Sequence, residues 1–358
     1  METMQQQSAA TVIYNREARM KSYHVQYGDG LESLSVKEHP IPQPGPEEVL
    51  LRIHANSLSY RDLMIFKGSY PLPVKPDVVA VSDGAGEVVA TGANVTRTKP
   101  GDRVAVQMFP YWTDGPFALE HAAQIGGSLD GLLTEYAIVS EEAVVHIPAH
   151  LSYEEAATLP CAALTAWNAL TGGKALQAGQ TVLTLGSGGV SLFAIQFAKM
   201  MGAFVIATTS SEEKAQRLKA LGADDVINYR TRPDWHDRVR ELTNGRGVDQ
   251  IVEVTGGTLE QSIQSVAIEG QINFVGRLDA GAQTININML FRSCASVRVV
   301  AVGSRAQFIA MNTAIEANQL HPVIDKVFPF EEAADAFRYL QEGKYFGKVV
   351  ISQRHVNR

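Results

Sequence analysis

The chain has 358 residues, 45% of them hydrophobic, a formal net charge of -7 and a pI near 5.8, enough to fill the cores of two globular domains. The acidic balance, with no basic block, argues against binding to nucleic acid or an anionic membrane surface and favours small-molecule partners. Two cysteines, Cys161 and Cys294, exclude a disulfide framework and a Cys-x-x-Cys zinc motif and fit a reducing cytoplasm.

Residues 1–19 are polar, lack the apolar core of a signal peptide and read as an N-terminal extension. From Met20 to Val145 short β-rich runs alternate with Gly and Pro: KSYHVQY, HPIPQPGPEE, VLLRIHANSLS, GAGEVVATG and GDRVAV. Close spacing of this kind predicts a partly open barrel. Between Met108 and Leu132 the pattern loses periodicity; Tyr111, Trp112 and Phe117 suggest an aromatic-lined binding loop, with a plain surface excursion as the alternative. SYEEAATLPCAALTAWNAL, with the Ser152–Glu155 spacing of a capping box, predicts a helix opening a second domain.

The stretch Thr181 to Ala223 reads as strand, glycine turn, helix, strand and helix. The strand TVLTL is a short β-branched and apolar run, consistent with burial on both sheet faces. Gly186, Ser187, Gly188, Gly189 and Val190 form the turn, where free N–H groups at a helix start face the oxygens of a dinucleotide pyrophosphate. The spacing is Gly186-x-Gly188-x-x-Ser191, with serine where a third glycine usually stands. Val190, Phe193, Ala194 and Phe197 fall on one helix face, and Gly202 ends the helix. Strand candidates follow at 248–254, 271–276 and 297–303, predicting a doubly wound parallel sheet. Helical EEAADAFRYLQEG and strand-like GKVVIS close the chain.

SLSYRDLM with GSYP, SDGAGEVVATG, KPGDRV, TLPCAALTAW, LGSGGVSLFAIQFAK and FGKVVIS together resemble the medium-chain dehydrogenase/reductase superfamily over nearly the whole chain from Met20. The resemblance implies an α/β fold: a GroES-like catalytic domain over 20–153 and 308–358, and a Rossmann domain over 154–307 that holds a nicotinamide cofactor. Zinc members of the family carry the catalytic metal on Cys, His and Cys. Here those positions are Ser59, Ser82 and Cys161, and the cysteines of the structural zinc lobe are missing, since none precedes Pro160. Two neutral hydroxyls and one thiol make a poor zinc site. Cys161 is then read as a buried apolar residue, and no metal is expected.

The resemblance therefore turns to the zinc-free quinone oxidoreductases and enoyl reductases. Hydride transfer to the β-carbon of an enone or quinone spreads the developing charge over an enolate and asks less of the site than an isolated ketone does. Tyr60, Arg61 and Tyr70 are candidate acid groups, each with a structural alternative: barrel packing for Tyr60 and an ion pair with Asp62 or a phosphate for Arg61. The family pattern also implies cofactor contacts at Thr165 and Lys348. Gly256 and Gly276-Arg277 lie at strand ends, where ligands of open α/β sheets sit.

NAD enzymes place an acid about 20 residues after the first glycine. Here ATTSS at 207–211 has none, while Ser210, Lys214 and Tyr229, with Arg230 nearby, resemble the 2′-phosphate contacts of NADP-dependent quinone reductases. A capping box of Ser210 with Glu213 is the competing reading. The expectation is an NADP-dependent, zinc-independent reductase of an apolar enone, quinone or carbonyl compound, a homodimer through the Rossmann edge strand SVRVVAVG. The alternatives are a metal-free alcohol or aldehyde dehydrogenase and an NADPH-binding sensor or structural protein.

Overall fold

The computed structural model describes residues 18–276 and 285–353. One sheet of six strands is parallel throughout, in the order Asp225–Asn228, Phe204–Thr209, Thr181–Leu185, Val248–Glu253, Val266–Phe274, Ser296–Val299. The chain winds outward from Thr181–Leu185 in one direction and then from Val248–Glu253 in the other, which leaves a switch point between these two strands. Ligands of doubly wound sheets bind at the C-terminal ends beside such a point. All five residues of Thr181–Leu185 are buried. The helix Gly189–Met200 packs Leu192, Phe193, Ala194, Ile195, Phe197 and Ala198 inward, while Val190 stays half-buried at the turn.

A second, seven-stranded sheet combines the first and last parts of the chain. Its order is Ile324–Pro329, Lys348–Ser352, Glu48–Leu58, Asp83–Thr91, Arg103–Val106, Val144–His146, and Tyr136–Ser140 pairs with Glu48–Leu58. A three-stranded sheet of Ser35–Pro40, Arg19–Val25 and Val78–Val79 lies apart from it. The antiparallel register of Val349 with Leu58 is decisive for the site, because it brings Lys348 beside Ser59.

The structure corrects several expectations. The helix over 152–171 is three segments: Tyr153–Ala156, a π-turn Leu159–Ala163 and Leu164–Thr171. Pro160 has no N–H to give an i→i−4 bond, so the ladder re-forms with wider spacing. The Ser152–Glu155 capping box is present. The strand expected at 297–303 stops at Val299, and the one at 271–276 spans Val266–Phe274. Within Met108–Leu132 only a 3-10 turn, Leu119–His121, is regular. Trp112 is 4% exposed, packs edge-on to Phe109 and Phe117 and belongs with Phe109 to the largest apolar cluster, while Tyr111 is exposed. Among the described residues no helix is long and apolar enough to cross a membrane.

Candidate functional site

The glycine turn sits at the C-terminal end of the central strand. Gly186 has φ +74°, and its N–H donates to Thr208 O at 3.0 Å, tying the turn to the neighbouring strand. A Cβ at Gly186 or Gly188 would meet nothing within 4 Å, so the space over both is open. Gly188 precedes the helix and supplies no side-chain cap, leaving the first-turn N–H groups without a capping side chain. Ser187, Gly188, Gly189 and Val190 are all half-buried. An open turn with uncapped N–H groups at a helix start is the kind of place where a phosphate binds. Ser191 Oγ donates to Leu185 O at 2.6 Å, so serine ties helix to strand where a third glycine would let them touch.

At the end of Phe204–Thr209, Ser211 and not Ser210 caps the next helix, accepting from Lys214 N at 3.3 Å. The Ser210–Glu213 capping box is thus corrected to a Ser211 cap, and Ser210 is left half-buried beyond the strand. Tyr229 N donates to Thr209 O at 2.9 Å, which brings Tyr229 and Arg230 beside the same strand end, both exposed. Lys214 Nζ donates to Tyr345 O at 3.1 Å; burial holds its pKa below the ordinary value, opposed by the Asp325 and Glu213 carboxylates and reinforced by Arg217 and Arg230.

The other strand ends differ. Gly256 is buried and its N–H goes to Glu253 Oε1 at 3.1 Å. Glu253, missed by sequence reading, is fully buried and also accepts from Thr255, Thr258 and Ser262, so it shapes the turn after its strand. TGGT after VEV was the available signal. A Cβ at Gly276 would lie 2.4 Å from Val254 O, a close approach only glycine permits. Arg277 lies outside the described residues.

Facing the glycine turn is a buried polar cluster. Lys348 Nζ donates to Leu58 O at 2.7 Å and to Ser59 Oγ at 2.9 Å. Ser59 Oγ lies 3.4 Å from Asp83 Oδ2, and Ser82 Oγ donates to Asp83 Oδ1 at 2.9 Å. Arg61 Nη1 pairs with Asp62 Oδ1 at 3.2 Å, Nη2 reaches Gly126 O at 3.1 Å, and the Tyr70 ring centroid is 4.7 Å from its Cζ. Burial opposes the Arg61 charge, but Tyr70 and Asp62 outweigh it and hold its pKa above the ordinary value. Burial, reinforced by Asp62 and opposed by Lys348, pushes Asp83 up to about 6. Cys161, expected to be buried, is half-buried against the main apolar cluster, and desolvation with the Asp83 charge pushes its thiol up to about 12.

Tyr60 opens the short helix Tyr60–Phe66 and packs half-buried against the apolar cluster of Leu58, Leu63 and Phe337. Tyr70 is half-buried and touches both large apolar clusters of the molecule. Thr165 is 4% exposed on Leu164–Thr171, directly after the π-turn that carries Cys161. The structure therefore brings Arg61, Tyr70 and Lys348 to one cluster and leaves Tyr60 in an apolar wall.

Residues 45–149 match the alcohol dehydrogenase GroES-like domain family and residues 189–317 the zinc-binding dehydrogenase family. A zinc-type alcohol dehydrogenase-like protein of Schizosaccharomyces pombe is 43% identical over 90% of this chain and 96% of its own length. The chain belongs to the medium-chain dehydrogenase/reductase superfamily. The structure of an NAD-dependent alcohol dehydrogenase superposes with TM-score 0.84 at 35% identity, over 93% of this chain and 100% of that one. That of the 2-octenoyl-CoA carboxylase reductase CinF in complex with NADP and 2-octenoyl-CoA gives TM-score 0.82 at 28% identity, over 93% and 87%. As a medium-chain dehydrogenase/reductase, this chain is an oxidoreductase whose glycine turn fits a nicotinamide dinucleotide. Zinc, which the family name implies, does not fit: two of the three donors are hydroxyls engaged with Lys348 and Asp83, and among the described residues no group of three or more His, Cys, Asp and Glu is placed to hold a metal.

Proposed function

We propose that this medium-chain dehydrogenase/reductase is an NADPH-dependent reductase that delivers hydride to an activated C=C bond or a quinone without zinc. The observation that carries the reading is the cluster at the metal position, where Lys348 Nζ is bonded to Ser59 Oγ at 2.9 Å and Ser82 Oγ to Asp83 at 2.9 Å, so two of the three ligand positions hold engaged hydroxyls. NADP over NAD is supported by Lys214 at the start of the helix Glu212–Leu221 and by Tyr229 and Arg230 beside a strand end whose residues 207–211 include no carboxylate.

When bound, the nicotinamide supplies the hydride. The glycine turn and the first-turn N–H groups of Gly189–Met200 hold the pyrophosphate. Ser210, Lys214 and Tyr229 hold the 2′-phosphate, and Thr165 orients the nicotinamide. Arg61, kept cationic by Asp62 and Tyr70, sets a positive field where negative charge develops on substrate oxygen. Residues 20–153 with 308–358 form the catalytic unit in this reading and 154–307 the cofactor unit. The edge strand Ser296–Val299 pairs with a second copy, and the free thiols Cys161 and Cys294 fit the cytoplasm.

A spectrophotometric panel of enones, quinones, aldehydes and ketones with NADPH and NADH tests the reading, alongside metal analysis of the purified protein. NADPH oxidation by enones or quinones without stoichiometric zinc is the expected result. Stoichiometric zinc, or turnover with alcohols and NAD alone, defeats it.

A further inference from the structure

Lys348 is 3% exposed, and burying an ammonium is costly unless its charge and donors are met. Its stem crosses the nucleotide turn: a Cβ on Gly189 would stand 2.5 Å from Lys348 Cδ. The next residue back, Gly347, donates its N–H to Ser187 O at 3.0 Å, which fixes this crossing. From there the side chain reaches Leu58 O and Ser59 Oγ, so Nζ stands between the cofactor cradle and the position of the family's first metal ligand. An ammonium has three donors. Two are used, and among the described residues none accepts the third. Asp83, reached through Ser59 Oγ at 3.4 Å, and Asp62 balance the charges of Lys348 and Arg61, so the cluster is neutral without a metal.

We infer that Lys348 is the catalytic electrophile of this site, its third N–H bonding the substrate oxygen that becomes an oxyanion; the inference rests on the reductase reading above. Hydride brings two electrons to the β-carbon. The C=C pair moves to form the enolate double bond, and the carbonyl pair settles on oxygen, where the Lys348 ammonium stabilises it by a charge-assisted hydrogen bond. The α-carbon then takes a proton from water, so the enone is reduced and the reduced nicotinamide oxidised. Lys348 keeps its proton throughout and acts as a fixed cation in place of the metal.

The test compares wild type, K348M and K348R for NADPH affinity by fluorescence titration, for kcat and KM, and for binding of benzoate, an oxyanion probe, to the NADP⁺ complex by calorimetry. K348M is expected to keep NADPH affinity within about threefold, to lose about 10²- to 10³-fold in kcat, and to weaken benzoate at least about tenfold, with K348R recovering part of each. Unchanged kcat, or parallel loss of NADPH affinity and kcat, overturns the inference in favour of a scaffold or phosphate role. Should K348M not fold, S59A removes one tether of Nζ: lower kcat at unchanged NADPH affinity supports the inference, and unchanged kcat overturns it. If wild type reduces nothing in the panel, the reductase reading fails, while Lys348 is still judged by benzoate. Binding lost in K348M supports it, and equal or absent binding overturns it.

Discussion

Lys348 crosses Gly189 so closely that a methyl group on Gly189 would lie 2.5 Å from Lys348 Cδ and 3.3 Å from Ala162 Cβ. The buried lysine cannot swing away without losing its bonds to Leu58 and Ser59. Gly189→Ala is therefore expected to weaken NADPH binding at least about tenfold, equivalent to about 1.4 kcal/mol, and to lower kcat as well. Fluorescence titration and steady-state rates check this; an unchanged variant would mean the crossing is not rigid.

In the proposed reading Lys214, at the second strand end, discriminates between cofactors. Among the described residues Lys214 Nζ gives one hydrogen bond, to Tyr345 O at 3.1 Å. Lys214→Ala should raise the Kd of NADPH about tenfold while leaving that of NADH within about twofold. Equal losses for both cofactors would remove the 2′-phosphate assignment.

Asp83 sets a pH dependence of stability. Its carboxyl is raised from 3.8 to about 6. Below 3.8 both folded and unfolded states hold the proton and the shift costs nothing; between 3.8 and 6 the unfolded state ionises first, and above 6 the full cost is felt. That cost is about 3 kcal/mol at about 1.4 kcal/mol per unit. Asp83→Asn lacks it, so urea unfolding should show wild type losing stability relative to the variant as pH rises from about 4 to about 7.5. A difference that is flat or opposite in sign across this range rules the shift out.

At the sheet edge Val299 is 77% exposed, and Phe291 on the preceding helix is 83% exposed. A charge on an edge strand blocks pairing with another copy. Val299→Lys should convert a dimer into a monomer by light scattering with activity per chain measured in parallel. A dimeric variant moves the interface elsewhere.

Much of the cofactor half was legible in the sequence because it is written in local signals. A strand of β-branched and apolar residues, glycines at Gly186 and Gly188, helical spacing after them and the missing acid at 207–211 each report a short segment's own backbone and burial. The cap at Ser211 was misread by one residue, since Ser210 and Ser211 offer the same hydroxyl and only the strand's end chooses between them. The π-turn at Leu159–Ala163 was hidden because its composition is helical and Pro160 alone marks the change.

The sequence by itself determined the family, the two kinds of sheet and the loss of two metal ligands at Ser59 and Ser82. What replaced those ligands was decided only in three dimensions. Lys348 and Ser59 are 289 residues apart and meet because Val349 pairs with Leu58 in an antiparallel register. Register across a sheet depends on long-range packing that no local period records. The charge balance of Arg61, Asp62, Asp83 and Lys348 likewise exists only once the strands that carry them share one buried cluster.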